Sequence, residues 1–446
     1  YSKRDDVDYM PITPWRVFLI QFLNIAGTGP IFGAIMGILF GPAAYLWIVL
    51  GCIFAGAVHD YMCGMICVRK GGASLPELIG DELGLFMRIL MRLCSLILLV
   101  LVGTVFITTP EALLDHMIPD NGWLWSNWFW VVLILFYFLI ATFLPIDKLI
   151  GKIYPLFGLA LLVMAIGIGW NIYTADGWLP ELTDQLFTSH HPKGLPIFPM
   201  LCITIACGAI SGFHGTQSPL MSRCLTNEKY GRPIFYGSMI TEGVVALIWA
   251  AATIKFASTL PGEAGATAYE KLASLGNPAI VVNKVSTSWM GTIGAVLAIL
   301  GVVAAPITSG DTAFRSARLI AADFLHMGQK SVLSRLVLCI PLFAIATALM
   351  FIDFNVLWRY FAWFNQTLAC ITLWAATVWL ARKQKFYYIC LLPAMFMTVV
   401  CTSSIIIAPE GFSLPWQWGI IAGLLLMVCF TVLFCVWIRK KRKNII

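Results

Sequence analysis

Charge is what this sequence has least of. Asp, Glu, Lys and Arg make up 11% of the 446 residues, where a soluble domain carries about 25%. With 60% hydrophobic residues and a mean hydropathy of +0.86, the chain reads as a polytopic membrane protein and not as a soluble fold. A nucleotide site is also missing. No GxxxxGK[ST] loop occurs, and Gly27-Thr-Gly29 is not completed to GxGxxG, since the next glycine is Gly33. An ATP-driven pump would therefore need a partner chain. HExxH and CxxCH are absent, and the 13 cysteines include no CxxC. They lie mostly in apolar segments and read as small core residues, so no metal and no cofactor is expected. The sequence opens on Tyr1 without a signal-peptide pattern, so it is expected to be less than the whole gene product.

Stretches of about 20 apolar residues predict twelve spans, near 17–41, 43–67, 86–108, 127–146, 153–172, 198–219, 233–257, 291–312, 332–352, 356–380, 386–407 and 415–438. If span 1 starts in the cytoplasm, 24 of the 29 Lys and Arg residues fall on the cytoplasmic side. The exceptions are Lys193, Lys255, Lys271, Lys284 and Arg359. The net charge of +7 is thus a topology signal, with the C-terminus cytoplasmic, and not a nucleic-acid footprint. Connections on the other side are longer. Those at 111–127 and 176–184 are acidic, and 261–288 is expected to be either a partial lid or a plain loop. Ala73 to Gly80 reads as a short amphipathic helix begun at Ser74, with Pro76 in its first turn.

Two spans are interrupted. In the first, Asn24-Ile-Ala-Gly-Thr-Gly-Pro30 breaks the apolar run. In the sixth, helical character is expected to be lost at Gly208, Gly212 and Gly215, around His214, and to restart at Ser218-Pro219 as cap and first turn. An unmet backbone group in hydrocarbon costs several kcal/mol, so such breaks persist only where protein or a cavity satisfies them. Matching breaks in two halves point to a secondary transporter's binding site. Spans 1 to 5 and 6 to 10 then form repeats of opposite orientation (1–172 and 173–380), with spans 11 and 12 outside them (381–446). The expected fold is all-α, of the leucine-transporter-like five-plus-five type.

Polar residues inside the spans supply the candidate site. Gly27, Thr28, Gly29, Gly208, Ser211, Gly212, His214, Asn365 and Gln366 are expected to face the solute, with second half-helices from Pro30 and Pro219 turning positive ends to a carboxylate. Gly33, Gly37 and Gly41 continue at four-residue spacing and read as a packing ridge. Glu242 and Asp60 are candidates for carrying a proton, since a buried acid needs a partner or a task. Carbonyls near Ala26 and Gly208, with Thr308, Ser309 and Thr312 beside Asp311, could instead hold sodium. Asp311 and Arg315, four apart, could equally pair with each other. His59 reads as a structural histidine, and a bis-histidine haem from His59 and His214 is a formal alternative.

The stretches Asp6 to Pro11, Ile25 to Pro30, Ala55 to Tyr61, Phe198 to His214, Asp311 to Arg318 and Leu357 to Gln366 together carry a resemblance. The sequence resembles the carbon starvation protein A (CstA) family of peptide and pyruvate transporters, and looks like a short member. Long members have extra helices and a longer tail, and a hydrophobic helix before the Asp-Val-Asp-Tyr element. His59 stands where long members have Gln. The resemblance implies uptake of pyruvate or peptides across the bacterial cytoplasmic membrane in response to nutrient shortage, coupled to protons. It carries over no substrate residues. The rival class is a non-transporting nutrient sensor or a membrane subunit of an enzyme complex.

Overall fold

The computed structural model describes residues 11–117, 127–143, 154–183, 185–329 and 331–443. The Asp6-Val-Asp-Tyr element, Lys148, Lys152, Lys330 and part of the 111–127 connection lie outside them. All regular structure among the described residues is helical. Nine helices among the described residues are long and apolar enough to cross a membrane. They are spans 2 (Ala43–Arg69), 3 (Leu85–Asp115), 5 (Tyr154–Thr174), 7 (Glu228–Thr259), 8 (Pro278–Leu325), 9 (Val332–Leu349), 10 (Phe354–Arg382), 11 (Tyr388–Ile407) and 12 (Trp416–Lys441). Span 1 is a pair, Pro14–Ile25 and Gly29–Phe40, bent by 44°. Span 4 is the shorter Trp128–Thr142, and span 6 is Ile197–Thr204 followed by Gly212–Ser222. Spans 11 and 12 pack together beside span 10.

Two boundaries differ from expectation for local reasons. Span 3 continues to Met117 because Pro110 is tolerated inside the helix. Span 8, expected over 291–312, begins at the expected residue, where a kink at Gly291 divides the run Pro278–Leu325 into two helices, and continues past 312 to Leu325. Gly291 sits at φ 57°, ψ −142°, which a side chain would resist.

The 261–288 connection is folded. Ala268–Ser274 is a helix with a Thr267/Glu270 capping box, and Asn277 caps the helix that follows. Tyr269 of this connection stacks on His190 with ring centroids 4.2 Å apart. At the basic end, Ser74 and Glu77 form the capping box of Leu75–Leu83. That helix ties spans 2, 3 and 10 together, since Asp81 pairs with Lys70 and Arg88 while Glu82 pairs with Arg382.

Candidate functional site

The span 1 break is short. Ala26 N–H still bonds Phe22 O, and the next helix takes its first bonds from Phe32 N–H to Thr28 O at 2.8 Å. The Leu23 carbonyl next to the break accepts from Ser309 Oγ of span 8 at 3.0 Å. Gly27 lies against the Phe106 ring, and a methyl on Gly29 would overlap Cys207 Cβ and Sγ. Span 1 therefore touches span 6 break to break, and only a glycine fits there.

In span 6 the helix restarts earlier than expected. The non-helical stretch is 205–211, with Gly208 at φ 92°, and the second half begins at Gly212, not at Ser218-Pro219. Gly212, His214 and Gly215 are thus helical, and Pro219 sits inside the helix. Proline has no N–H to give the carbonyl four residues back. That carbonyl, Gly215 O, instead accepts from the Cys63 thiol of span 2 at 3.6 Å, so the helix runs through.

Other freed groups of this break are also met by side chains, as a membrane interior demands. Trp47 Nε1 donates to Ile205 O at 3.1 Å and Gln366 Nε2 to Cys202 O at 3.0 Å. Asn365 Oδ1 accepts from Phe213 N–H at 2.7 Å and from Ser211 Oγ at 3.0 Å. Asn365 and Gln366 thus clasp the two halves of span 6 from span 10. The helix end assigned to a solute carboxylate is capped by Asn365 in this conformation.

Beside the break lies a buried line of ionisable groups. His59 Nδ1 is 2.8 Å from Asp60 Oδ1, and His214 Nδ1 is 2.8 Å from Asp60 Oδ2. A carboxylate only accepts, so with Asp60 ionised each Nδ1 carries the hydrogen. His214 then turns Nε2 towards Glu242, whose Oε2 is 3.4 Å away. All four side chains are fully buried. With Asp60 ionised, one proton shared by His214 and Glu242 gives the same net charge wherever it sits. One more proton leaves an imidazolium, a neutral acid and no net charge. The set, drawn from spans 2, 6 and 7, can thus load and release a proton.

Cys207 Sγ, His214 Nε2 and a Glu242 oxygen fall within 4.8 Å of one another, close enough to ask whether they fit a metal. The thiol does not. Cys207 Sγ donates to Ser211 Oγ at 3.6 Å and accepts from Asn365 Nδ2 at 3.5 Å, the pattern of a neutral thiol, whereas a metal takes a thiolate. Nor do His59 and His214 stand as axial haem ligands, because both turn Nδ1 to one carboxylate.

The span 8 residues form a separate cluster. Asp311 Oδ2 accepts from Tyr154 OH at 2.9 Å and lies 4.0 Å from Arg315. Thr308, Ser309 and Thr312 donate their hydroxyls to Ala305 O, Leu23 O and Ser309 O. Each hydroxyl has given its hydrogen to backbone and keeps its lone pairs, but a fixed guanidinium stands beside the one carboxylate. The cluster suits a structural link between spans 5 and 8 better than a cation cage.

Every break residue is enclosed. A vestibule of about 220 Å³ opens at the end opposite the basic tail, lined by Met36, Lys193, Met200, Thr204, Trp358 and Arg359 among others. Gln21 escaped the sequence reading, and Asn24 entered it only as the first residue of the break. Gln21 and Asn24 of span 1 are fully buried, and their amide atoms have no hydrogen-bond partner among the described residues. The signal was there, as two amides three apart in an apolar run leading into a break.

Known proteins match this chain along its length. The profile of the carbon starvation protein CstA family matches residues 1–120, 111–268 and 264–404. An uncharacterized membrane protein of Haemophilus influenzae is 44% identical over 304 residues, covering 57% of this chain and 81% of that one. The peptide transporter CstA of Campylobacter jejuni and the pyruvate/proton symporter BtsT of Escherichia coli are each 28% identical over 308 residues. Each match takes in 55% of this chain, but only 43% and 42% of those proteins, so the chain spans less than half the length of either. A manganese transporter of Eremococcus coleocola superposes with a TM-score of 0.61 over 98% of this chain and 99% of its own, at 12% identity. That likeness is one of fold.

Proposed function

The chain belongs to the carbon starvation protein CstA family, and from that premise we propose that it is a secondary active transporter. It imports a small carboxylate such as pyruvate, or short peptides, by alternating access between the two five-helix repeats, 1–172 and 173–380. The observation that carries this is the break-to-break contact of spans 1 and 6 with a buried ionisable line beside it. Such a junction can part on either side of the membrane, and opening it would bring His214 to water together with the breaks. The reading is of a carrier, not an enzyme.

Protons are the coupling ion on this reading, loaded and released through Asp60, His214 and Glu242. The span 8 cluster, with the Arg315 guanidinium beside its one carboxylate, favours sodium less. An inward positive charge contributes about 2.3 kcal/mol per 100 mV, which at about 1.4 kcal/mol per decade supports roughly a 40-fold solute gradient. The Lys and Arg bias supports a cytoplasmic C-terminus in the bacterial inner membrane, so the 220 Å³ vestibule opens outward.

The test is uptake by proteoliposomes carrying the full chain. Labelled pyruvate and labelled alanyl-alanine are offered under an imposed pH gradient, and separately under a sodium gradient. Accumulation of either solute driven by the pH gradient is expected. No accumulation or exchange of any solute would favour the sensor.

A further inference from the structure

Two apolar grooves of similar size run down the outside of the helix bundle, and they differ at one end. The first, of about 790 Å³, lies between spans 2 and 11, with Phe54, Phe386, Tyr388 and Phe396 in its wall. No charged residue lines it. The second, of about 960 Å³, lies where span 12 packs on span 11 and stands off spans 3 and 10. Span 12 reaches span 10 there through ring contacts of Phe430 and Phe434 with Trp374. Along span 10 the wall runs from Trp363 to Arg382, which is about 28 Å of helix and close to the thickness of the hydrocarbon core.

The second groove alone ends on cations. Arg382 and Trp437 lie in its wall at the end that bears the basic tail. The Arg382 guanidinium stands 5.8 Å from the centre of the Trp437 ring, and Lys441 Nζ stands 5.5 Å from the same ring. Arg382 is held in place by the carbonyls of Asp81 and Glu82, each at 3.2 Å. Around this mouth Lys70, Arg88, Arg382 and Lys441 face two acids, Asp81 and Glu82, and both acids are taken by the first three. Lys441 is left over, with the Trp437 ring and no acid as its partner among the described residues.

Two like charges gathered on one indole at the mouth of an apolar groove are the complement of an anion that carries a chain. We propose that this groove binds an anionic phospholipid of the cytoplasmic leaflet, with its phosphate on Arg382 and Lys441 and an acyl chain along the adjoining half of the groove. Basic pockets between membrane helices on the cytoplasmic side take anionic headgroups, and an indole is at home at that depth. A zwitterionic lipid has the same phosphate, but it would bring its own cation to a mouth where cations are already in surplus. A partner helix fits the wall less well. Membrane helices pack through small residues, whereas Phe86, Trp363, Trp374, Phe430 and Phe434 are prominent here. The site is apart from the breaks and does not depend on which solute the chain carries.

Native mass spectrometry tests this on the full chain, released from micelles that hold equal amounts of phosphatidylglycerol and phosphatidylcholine with the same acyl chains. Wild type is expected to retain phosphatidylglycerol in preference. Lys441→Gln breaks no ion pair and is expected to lower that preference about 5-fold, the effect of one basic residue close to an anionic headgroup. Lys385→Gln removes a cation beside Phe386 of the other groove, and is expected to leave the preference unchanged. Leu433→Trp narrows the groove without altering charge, and is expected to reduce the phosphatidylglycerol retained. Equal retention of the two lipids by wild type would make the groove ordinary lipid-facing surface and overturn the proposal. Equal losses in Lys441→Gln and Lys385→Gln would do the same, by assigning the preference to the overall charge of the rim. Unchanged retention in Leu433→Trp would take the chain out of the groove, and a retained polypeptide in place of lipid would give the groove to a partner helix. Either result overturns it.

Discussion

Asp60 Oδ2 and His214 Nδ1 meet at 2.8 Å across 154 residues of sequence, and this contact fixes which way the His214 ring faces. Because Nδ1 is committed to span 2, Nε2 is the atom offered to Glu242 of span 7. A carboxylate that orients an imidazole in this way acts on the far nitrogen without touching it.

Asp60→Asn tests that orientation. An amide has one acceptor oxygen where the carboxylate has two, so its NH2 must face one of the two histidine Nδ1 atoms and displace that hydrogen. If His214 is the ring affected, its proton moves to Nε2 and points permanently at Glu242. Accumulation driven by a pH gradient is expected to fall by about 10-fold, the equivalent of about 1.4 kcal/mol. Counterflow at equal pH should fall less. Equal losses in the two assays would show that Asp60 serves folding alone.

Asn365 should behave as a cap. Asn365→Ala leaves the Phe213 N–H and Ser211 hydroxyl unmet in a fully buried place, at about 1–3 kcal/mol. The melting temperature is expected to fall by several degrees, at roughly 2–4 °C per kcal/mol for a large domain. An unchanged melting temperature would mean that the helix end finds another acceptor.

Much of this arrangement was legible in the residue order, and the misses have physical causes. The span 1 break could be read from Gly27, Gly29 and Pro30, because local backbone preference alone forces it. The restart of span 6 could not. Pro219 looks like a first-turn proline until the Cys63 thiol, 156 positions earlier in the sequence, is seen to take the carbonyl it orphans. Asn365 and Gln366 stood out as polar residues in an apolar span, but their use as a clasp depends on how span 10 packs. Asp311 and Arg315 were readable as a pair from their spacing, whereas Tyr154, which completes their cluster, comes from another span. Gln21 was passed over because one amide in a long apolar run carries little weight alone.

His191 offers a control for pH dependence. It lies outside the spans in the vestibule wall, packed at a tilt against Phe40 with ring centroids 4.8 Å apart. Burial, and then the nearby Lys193 and Arg359 charges, push its pKa down to about 4. It is therefore neutral throughout pH 5–8, the range in which a free histidine titrates, and gains charge only as pH falls towards 4. His191→Gln is expected to leave the shape of the uptake profile between pH 5 and 8 unchanged. A displaced midpoint in that range would place the controlling group in the vestibule instead of at the breaks.

Glu242 is where proton and sodium coupling part. Its two oxygens find no hydrogen-bond partner among the described residues, and its near neighbour is His214 Nε2 at 3.4 Å, so a proton is the ligand it can share without rearrangement. Gln in its place keeps the size and cannot be ionised. Glu242→Gln is therefore expected to abolish accumulation under a pH gradient while keeping solute exchange down a concentration gradient. Thr308 gives its hydroxyl to Ala305 O, a local helix contact, so Thr308→Ala should lower accumulation by no more than about 2-fold, within the reach of about 0.5 kcal/mol. The two variants measured side by side decide the matter. Full pH-driven accumulation by Glu242→Gln, together with an absolute need for sodium that Thr308→Ala weakens, would move the coupling site to span 8 and end the proton assignment.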